Sequence, residues 1–295
     1  MTGDLVVIGA GGRVGRLLRL AAEHVPPRTR RWWSGRGGNA DTRPDGFRWS
    51  LDEGGDALAA LTKRIDASPA LLMLAGATTG SGADLAMNVT LATACLEAAA
   101  ASGSRRVLLA SSSAVYGDPG SAPITEMTAP RDPNPYGLAK LAMEAAALPW
   151  RDRGIEVCCL RIGNVLGADA LMRAAATATL EAPLCLDRFA DGDGPRRSYI
   201  GPATLLRVVE ALATCPETLP PVLNIAAPVP IGMADLARAA DIPWRWQPAP
   251  ETARQDIVLS CTLLKCMFDF GPADHDPSEI LGQLRTISEP AHAIF

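Results

Sequence analysis

The sequence predicts an α/β protein built on a doubly wound parallel sheet, and two observations support this prediction. Short apolar runs alternate with alanine-rich helical stretches across residues 1–168, which is typical of a parallel sheet covered by helices. Small or polar residues follow these runs at Gly9, Gly76, Ser112 and Asn164. Because ligands bind at the carboxyl ends of the strands in such sheets, we expect these positions to converge on one crevice.

The first strand, residues 5–8, is a continuous apolar run that leads into a glycine-rich turn and then into a helix pattern. Gly9, Gly12 and Gly15 have the spacing GxxGxxG rather than GxGxxG. Gly11 stands where GxGxxG has its second glycine. Glycine here permits a tight turn, lets the backbone approach a pyrophosphate at the helix N-terminus and allows close helix packing. This context is that of a dinucleotide-binding Rossmann fingerprint. The predicted cofactor-binding residues of the turn are Gly9, Gly11, Gly12, Arg13, Val14 and Gly15.

The second strand, predicted for residues 29–33, is followed by Ser34, Gly35 and Arg36. An acidic residue at this position would bind the ribose diol of NAD, but Ser34 and Arg36 stand there instead. Because a guanidinium pairs well with a phosphate, this favours the 2′-phosphate of NADP. One alternative stays open, in which Arg36 is a solvated loop charge, Asp41 reaches the ribose and the cofactor is NAD.

Two more strands are expected on the cofactor side. Residues 47–51 form the third strand, followed by Asp52 at a point where an adenine amino group could be met. Residues 71–74 form the fourth strand, and the small Gly76 after it would let a cofactor lie over the strand end. The predicted cofactor contacts of this region are Asp52, Leu74, Ala75 and Gly76. Asn88, in the alanine-rich helix that follows, is expected to make a hydrogen bond beside the active site.

The fifth strand, residues 107–110, is followed by three serines, and a predicted helix over residues 136–147 carries Tyr136 and Lys140 one turn apart. A free tyrosine titrates near ~10, so lowering its pKa to near ~7 takes roughly 4 kcal/mol. An ammonium about 4 Å away supplies about that much at an effective dielectric constant of ~20. Tyr136 could then act as general acid or base near neutral pH, while a serine holds the reacting oxygen. The alternative is an ordinary helix start with an exposed tyrosine and a solvated lysine.

Composition argues against several other classes of protein. The formal net charge of -4 and the pI of about 5.5 give no support for binding nucleic acid or a membrane surface. The seven cysteines form no CxxC pair and the three histidines are scattered, so we expect neither a metal site nor a disulfide framework. No apolar run approaches the length of a membrane span and the first residues do not resemble a signal peptide, so we expect a soluble, cytoplasmic protein.

Several motifs occur in order along the chain, namely VVIGAGGRVGRLL, LLMLAGAT, VLLASSSAVYG, PYGLAK, LRIGNVLG, RRSYIG and LNIAAP. Together they resemble the extended short-chain dehydrogenase/reductase family, in its NAD-dependent epimerase/dehydratase branch. The resemblance implies a Rossmann domain that binds NAD(P) over residues 1–168. It also implies a mainly substrate-binding lobe over residues 169–295, with some segments returning to the Rossmann sheet, and the ability to form a homodimer.

The resemblance assigns roles to individual residues. Ser112 matches the catalytic hydroxyl, Tyr136 matches the catalytic tyrosine, and Lys140 matches the lysine that binds the nicotinamide ribose and lowers the pKa of that tyrosine. Asn164 and Arg197 match positions that contact the phosphates of a nucleotide sugar. The expected substrate-binding residues are Ser112, Ser113, Asn164 and Arg197.

The same resemblance narrows the chemistry. Sugar-nucleotide 4,6-dehydratases resemble TDEVYG at the fifth strand end, whereas residues 112–117 read SSAVYG, so the acidic residues that support dehydration are missing. Where the family commonly has His-Val-Asp-Asp, residues 201–204 read GPAT, which makes a smaller carbonyl compound an alternative to a nucleotide sugar. We therefore expect an NAD(P)-dependent oxidoreductase or epimerase that acts on a sugar-like alcohol or ketone by hydride transfer. The alternative from another class is a non-catalytic NAD(P)-binding sensor of the same fold.

Overall fold

The computed structural model describes residues 3–35, 44–50, 56–65, 68–79, 84–120 and 123–287. The strands are β1 (Asp4–Ile8), β2 (Arg30–Gly35), β3 (Gly46–Arg48), β4 (Ala70–Met73), β5 (Arg106–Ser112), β6 (Glu156–Ile162), β7 (Asn164–Val165), β8 (Leu184–Arg188), β9 (Arg196–Arg197), β10 (Tyr199–Ile200), β11 (Val222–Ile225), β12 (Ile231–Gly232), β13 (Trp244–Pro248) and β14 (Asp256–Ile257). The helices are α1 (Arg13–Ala21), α2 (Asp56–Ile65), α3 (Met87–Ser102), α4 (Pro135–Ala147), α5 (Ala170–Ala175), α6 (Pro202–Ala213), α7 (Met233–Ala239), α8 (Thr262–Lys265) and α9 (Pro277–Ile287). Short 3-10 helices cover Ser113–Tyr116, Leu148–Arg153 and Pro272–Asp274.

Within these described residues, the central sheet has seven parallel strands in the order β11-β6-β5-β4-β1-β2-β3. Apart from β11, this is the strand order of a Rossmann sheet, whose direction of winding reverses between β1 and β4. The doubly wound parallel sheet predicted from the sequence is therefore confirmed. β11 lies at the edge and pairs with β6, so a segment of the C-terminal half returns to the central sheet.

The strands of the central sheet are buried on both faces, and their side chains alternate between two core clusters. Leu5, Val7 and Cys158 belong to one cluster, whereas Val6 and Cys159 belong to the other. Helices α1 and α6 cover the first face, and α2, α3 and α4 cover the second. The adjacent cysteines therefore serve as small core side chains on opposite faces of the sheet.

All five predicted strands differ from the observed ones in their bounds, and two of them bear on the cofactor site. The second spans Arg30–Gly35 instead of residues 29–33, and the third spans Gly46–Arg48 instead of residues 47–51. The predicted cofactor residues Arg36 and Asp52, and the alternative ribose ligand Asp41, lie outside the described residues. Their assignments therefore stay predictions.

Small sheets accompany the central one in the C-terminal half. Strand β8 pairs with β13, β9 lies between β12 and β14, and β10 pairs with β7 directly after the end of β6. In the part of the chain that the structure describes, no helix has both the length and the apolar character needed to cross a membrane. The same described residues contain no group of three or more His, Cys, Asp or Glu side chains placed to hold a metal ion.

Two glycines of the first turn allow backbone segments to approach closely. Gly9 has a φ of +91°, and a Cβ built on it would lie 2.4 Å from the backbone nitrogen of Ala75. A Cβ on Gly15 would lie 2.4 Å from the carbonyl oxygen of Gly9 and 2.7 Å from the Cα of Ala10. These contacts bring the start of α1 and the end of β4 against the turn, as the fingerprint predicts.

We expect Gly15→Ala to lower the free energy of unfolding by about 1–3 kcal/mol, because the added methyl group overpacks the turn against backbone atoms that cannot move away easily. Gly11→Ala is the matched control, since a Cβ at Gly11 meets no atom within 4 Å. It should stay within about 0.5 kcal/mol of the wild type. Urea denaturation measures both variants, and equal stabilities would contradict the role of Gly15.

Candidate active site

Ser112, Tyr136 and Lys140 line one cavity of about 380 Å³ at the carboxyl edge of the sheet. Ser112 ends β5, and its Oγ accepts a hydrogen bond from the backbone N–H of Ala114 at 3.2 Å, which starts the following 3-10 helix. Tyr136 and Lys140 lie in the first turns of α4. That helix begins at Pro135 and is capped by Asn134, whose side chain accepts the N–H of Gly137 at 2.8 Å. The trio predicted from the sequence is therefore brought together.

Gly137 sets how closely α4 approaches the end of β5. A Cβ on Gly137 would lie 2.2 Å from the carbonyl oxygen of Ala114, so only glycine allows this contact without a shift of the backbone. The helix therefore rests directly on the 3-10 helix that follows Ser112. Gly137 was not predicted from the sequence, although it lies between Tyr136 and Lys140 in the motif PYGLAK.

Lys140 is buried, with 4% of its surface exposed. Its Nζ donates a hydrogen bond to the carbonyl oxygen of Ala110 at 2.8 Å and lies 5.9 Å from the centroid of the Tyr136 ring. Burial lowers the pKa of Lys140 to about 8, because the ammonium loses hydration, while the charges of Cys159 and Glu144 act in the opposite direction. The alternative of a solvated lysine at an ordinary helix start is wrong.

The surroundings of Tyr136 act on the pKa of its phenol in both directions. The expectation that Lys140 lowers this pKa stays a prediction. Burial is the largest influence and raises the pKa of the phenol, while a hydrogen bond with Ser112 and the charge of Arg13 lower it. The net direction is a raised pKa, so the environment formed by the chain alone favours the neutral phenol.

A second cavity of about 570 Å³ adjoins the first, and Gly12, Leu74 and Gly76 line both. The predicted cofactor residues that line the second cavity are Gly9, Gly11, Gly12, Ser34, Leu74, Ala75 and Gly76. Arg13, Val14 and Gly15 line the first cavity, together with Tyr136 and Lys140. The two cavities thus form an elongated cleft over the glycine turn, with the trio at one end, and this shape fits a dinucleotide.

Ser34 lines the second cavity and also has a structural contact. Its hydroxyl accepts the backbone N–H of Gly9 at 3.0 Å, and the residue is buried. The side chain therefore also holds the glycine turn in place. Trp49, Ser50, Met87 and Leu91 line the same cavity and were not identified from the sequence. Met87 and Leu91 are spaced by one helical turn at the start of α3, which is the signal that could have located them.

Gly76 and Asn88 shape the point where the two cavities meet. A Cβ on Gly76 would lie 2.6 Å from Oδ1 of Asn88 and 3.2 Å from Nζ of Lys140. The amide of Asn88 is fully buried and binds both the N–H and the carbonyl of Ala77, at 3.2 and 3.1 Å. The hydrogen bonds expected of Asn88 thus hold the backbone after β4 beside Lys140.

The predicted substrate residues are only partly brought together. Asn164 lines the first cavity with Ser112, whereas Ser113 begins the 3-10 helix and lines neither cavity. Arg197 also lines neither cavity. Its guanidinium donates to the carbonyls of Arg196, Gln255 and Arg254 at 2.8, 2.7 and 3.0 Å, so it ties β9 to the chain before β14.

Asp169 lines the first cavity and was not identified from the sequence. Its carboxylate caps α5 by accepting the N–H groups of Leu171 and Met172 at 2.9 and 3.2 Å. Burial raises its pKa, whereas these backbone hydrogen bonds lower it. The capping pattern before residues 170–175 was the available signal.

Comparisons with known proteins place the chain in a family. The family model described as "NAD dependent epimerase/dehydratase family" matches residues 5–204. The chain belongs to this family. The family resemblance inferred from the motifs is therefore confirmed.

The curated relatives match only part of this chain. It is 43% identical over 75 residues to a UDP-glucose 4-epimerase of Streptococcus mutans, covering 25% of this chain and 22% of that protein. It is 41% identical over 75 residues to a putative UDP-arabinose 4-epimerase 2 of Arabidopsis thaliana, covering 25% of this chain and 18% of that protein. The match to the Streptococcus protein therefore spans about a fifth of the relative's length.

Solved structures share the fold over nearly the whole chain. MoeE5 in complex with UDP-glucuronic acid and NAD has a TM-score of 0.73 at 21% identity, covering 96% of this chain and 98% of that one. The UDP-Glc/GlcNAc 4-epimerase from Campylobacter jejuni has a TM-score of 0.74 at 18% identity, covering 95% and 97%. At these identities the likeness establishes the fold.

The buried Lys140 predicts a pH-dependent stability. Because its folded-state pKa of about 8 lies below the ordinary lysine pKa of 10.5, the folded state loses its proton first as the pH rises. Below pH ~8 the buried ammonium costs roughly 3 kcal/mol, and this cost disappears between pH ~8 and ~10.5. The wild type should therefore gain stability relative to Lys140→Met over that interval.

Urea denaturation at a series of pH values measures this difference. Lys265→Met is the matched control, because Lys265 is exposed, and its difference from the wild type should not change with pH. A difference between wild type and Lys140→Met that stays constant from pH 7 to 10 would refute the burial of a titrating ammonium.

Proposed function

We propose that the protein is an NAD(P)-dependent epimerase or oxidoreductase that acts on a hydroxyl-bearing carbon of a sugar, with a nucleotide sugar as the preferred substrate. The observation that carries this proposal is the placement of Ser112, Tyr136 and Lys140 at one end of a cleft that runs over the glycine turn. The relatives named UDP-glucose 4-epimerase and UDP-arabinose 4-epimerase support a nucleotide sugar. We further propose that residues 1–168 mainly bind the cofactor and that residues 169–295 mainly bind the substrate.

The proposed reaction divides the chemistry between the chain and its cofactor. A nicotinamide cofactor, when bound, supplies the acceptor and donor of a hydride. Tyr136, as the phenolate, takes the proton of the substrate hydroxyl as the carbon is oxidised to a ketone, and the resulting phenol gives it back to the ketone oxygen on reduction. In an epimerisation the hydride returns to the opposite face of the same carbon, so the substrate undergoes no net oxidation.

The surroundings of Tyr136 suit this exchange of a proton. Its raised pKa keeps the phenol protonated at neutral pH, which suits donation to a ketone oxygen. The hydrogen bond with Ser112 and the charge of Arg13 favour the phenolate, which suits acceptance of the proton from the substrate hydroxyl. Ser112 also lies where its hydroxyl can share the charge that develops on the substrate oxygen.

For the cofactor we propose NADP, with NAD as the alternative. Among the described residues that line the second cavity there is no carboxylate, and Ser34 stands at the end of β2 where a ribose-binding acid would be expected. Several structures that share the fold are complexes with NAD, including those of MoeE5 and of the Thermus thermophilus UDP-glucose 4-epimerase. Direct binding measurements with both cofactors distinguish the two.

Tyr136→Phe is expected to lower kcat by roughly 100-fold to 10,000-fold, because it removes the general acid and base. Binding of NADPH should change little. The assay follows interconversion of UDP-glucose and UDP-galactose with either oxidised cofactor. Tyr199→Phe is the matched control, since it loses the same hydroxyl at a buried tyrosine that lines neither cavity and should retain turnover.

Full activity in Tyr136→Phe would overturn the assignment of Tyr136. If the wild type binds cofactor but converts no sugar, alcohol or ketone in a broad panel, the result would instead favour the alternative of a non-catalytic NAD(P)-binding sensor.

Ser34→Asp should weaken NADPH binding by about tenfold or more, because the carboxylate would repel the 2′-phosphate, while NADH binding is retained or improved. Energy transfer from tryptophan to the nicotinamide measures both affinities. Ser34→Ala is the control, because it changes the same side chain and removes the acceptor of the Gly9 N–H without adding a charge. An unchanged ratio of the two affinities in Ser34→Asp would show that the end of β2 does not select the cofactor.

A further inference from the structure

Glu144 is a buried carboxylate that the proposed reaction does not use. It lies on α4, one turn after Lys140, and is 4% exposed. Its Oε1 accepts the hydroxyl of Ser111 at 2.5 Å and Nε of Arg161 at 3.1 Å. Its Oε2 accepts Nη2 of Arg161 at 2.8 Å. One carboxylate on α4 therefore joins the end of β5 to β6.

Arg161 completes this arrangement from β6 and is itself buried. Its guanidinium lies 4.8 Å from the centroid of the Tyr116 ring, in the 3-10 helix that follows β5. Its Nη1 also approaches the carbonyl of Glu126 at 3.4 Å. The cation is thus held by groups from several elements, with the bidentate pair to Glu144 as its strongest contact.

Three consecutive residues at the end of β5 meet three residues of α4 that are spaced by one turn. Lys140 donates to the carbonyl of Ala110 at 2.8 Å, Ser111 donates to Glu144 at 2.5 Å, and Ser112 lines the same cavity as Tyr136. We call this set of contacts the β5–α4 seam. The contacts made by Tyr136 and Lys140 include all three residues of the proposed catalytic trio. The remaining contact joins Ser111 to Glu144, and neither residue belongs to the trio.

We propose that Glu144 and Arg161 are positioning residues, which hold the β5–α4 seam in register so that Ser112 and Tyr136 face the same substrate oxygen. This inference rests on the proposed function. The ion pair anchors the seam at its far end and connects it to β6, so α4 cannot slide along β5 without separating two buried charges. Breaking such a pair by removing one partner is costly, because the other charge stays buried.

Glu144 also acts on Lys140 through its charge. It favours the protonated form of the buried lysine and thereby opposes the lowering of the pKa by burial. The other titratable groups near Lys140 are Tyr136 on the same helix and Cys159 on β6. Removing the charge of Glu144 should therefore make Lys140 lose its proton at a lower pH.

The test uses the full-length protein with Glu144→Gln, which keeps the shape of the side chain and removes its charge. We expect kcat to fall about tenfold with KM within about twofold, since alignment of the reacting groups is lost and substrate binding is not. The alkaline limb of the pH profile of kcat should shift to a lower pH by roughly one unit. The pH midpoint of NADPH binding should move in the same direction, because Lys140 lines the cofactor cleft.

Glu210→Gln is the matched control. Glu210 forms a similar buried pair with Arg31, 2.8 Å apart, and also accepts a hydroxyl, that of Thr29 at 2.8 Å. It joins α6 to the opposite end of the sheet and lines neither cavity. This variant should lose stability without a change in kcat, in the alkaline midpoint of the kcat profile or in the pH midpoint of NADPH binding.

A double variant, Glu144→Gln with Arg161→Met, separates positioning from folding, because an apolar replacement removes the uncompensated charge. We expect it to recover stability but not kcat. Unchanged kcat and midpoints in Glu144→Gln, or changes equal to those in Glu210→Gln, would overturn the inference. If the wild type turns over no sugar but binds NADPH, the proposed function fails, and the midpoint of NADPH binding still decides the role of Glu144.

Discussion

The contact between the end of β5 and one face of α4 is the interaction on which the candidate site depends. It buries an ammonium and a carboxylate, each with a polar partner on a neighbouring element, and leaves the phenol of Tyr136 half-buried beside them. Such groups can be buried only when they are paired in this way. Gly137 adds the steric condition, since its missing side chain lets α4 rest on the carbonyl of Ala114. Alignment of the helix with the strand thus determines which groups face the cavity.

The opposite side of the cleft depends on close backbone contacts instead of buried charge. Gly9 and Gly15 bring the turn after β1 against α1 and against the end of β4, and Ser34 holds the turn through a hydrogen bond from β2. The two sides meet at Gly76, where a side chain would collide with Asn88 and approach Lys140. Steric and electrostatic constraints therefore converge at one position of the sheet edge.

Local patterns predicted the sheet, the glycine turn and the spacing of Tyr136 and Lys140, because these depend on neighbouring residues and on the geometry of parallel strands. Contacts between distant segments could not be predicted in this way. The carbonyl partners of Arg197 come from residues far along the chain, and they direct its guanidinium away from both cavities. The hydrogen bond from Lys140 to the carbonyl of Ala110 and the burial of Glu144 likewise depend on tertiary neighbours. A charged residue at helical spacing gives no sign of which strand will cover it.

The pairing of β11 with β6 has a consequence for how the chain is made. Residues 1–168 contain most of the central sheet, yet β6 gains its outer neighbour only when residues 222–225 are available. Until then an apolar strand presents unpaired N–H and carbonyl groups, and such an edge invites pairing with another chain. During synthesis on the ribosome, residues 1–168 therefore have to wait for a late segment before the edge of β6 is protected. Cleavage between the two halves would leave a fragment prone to aggregation.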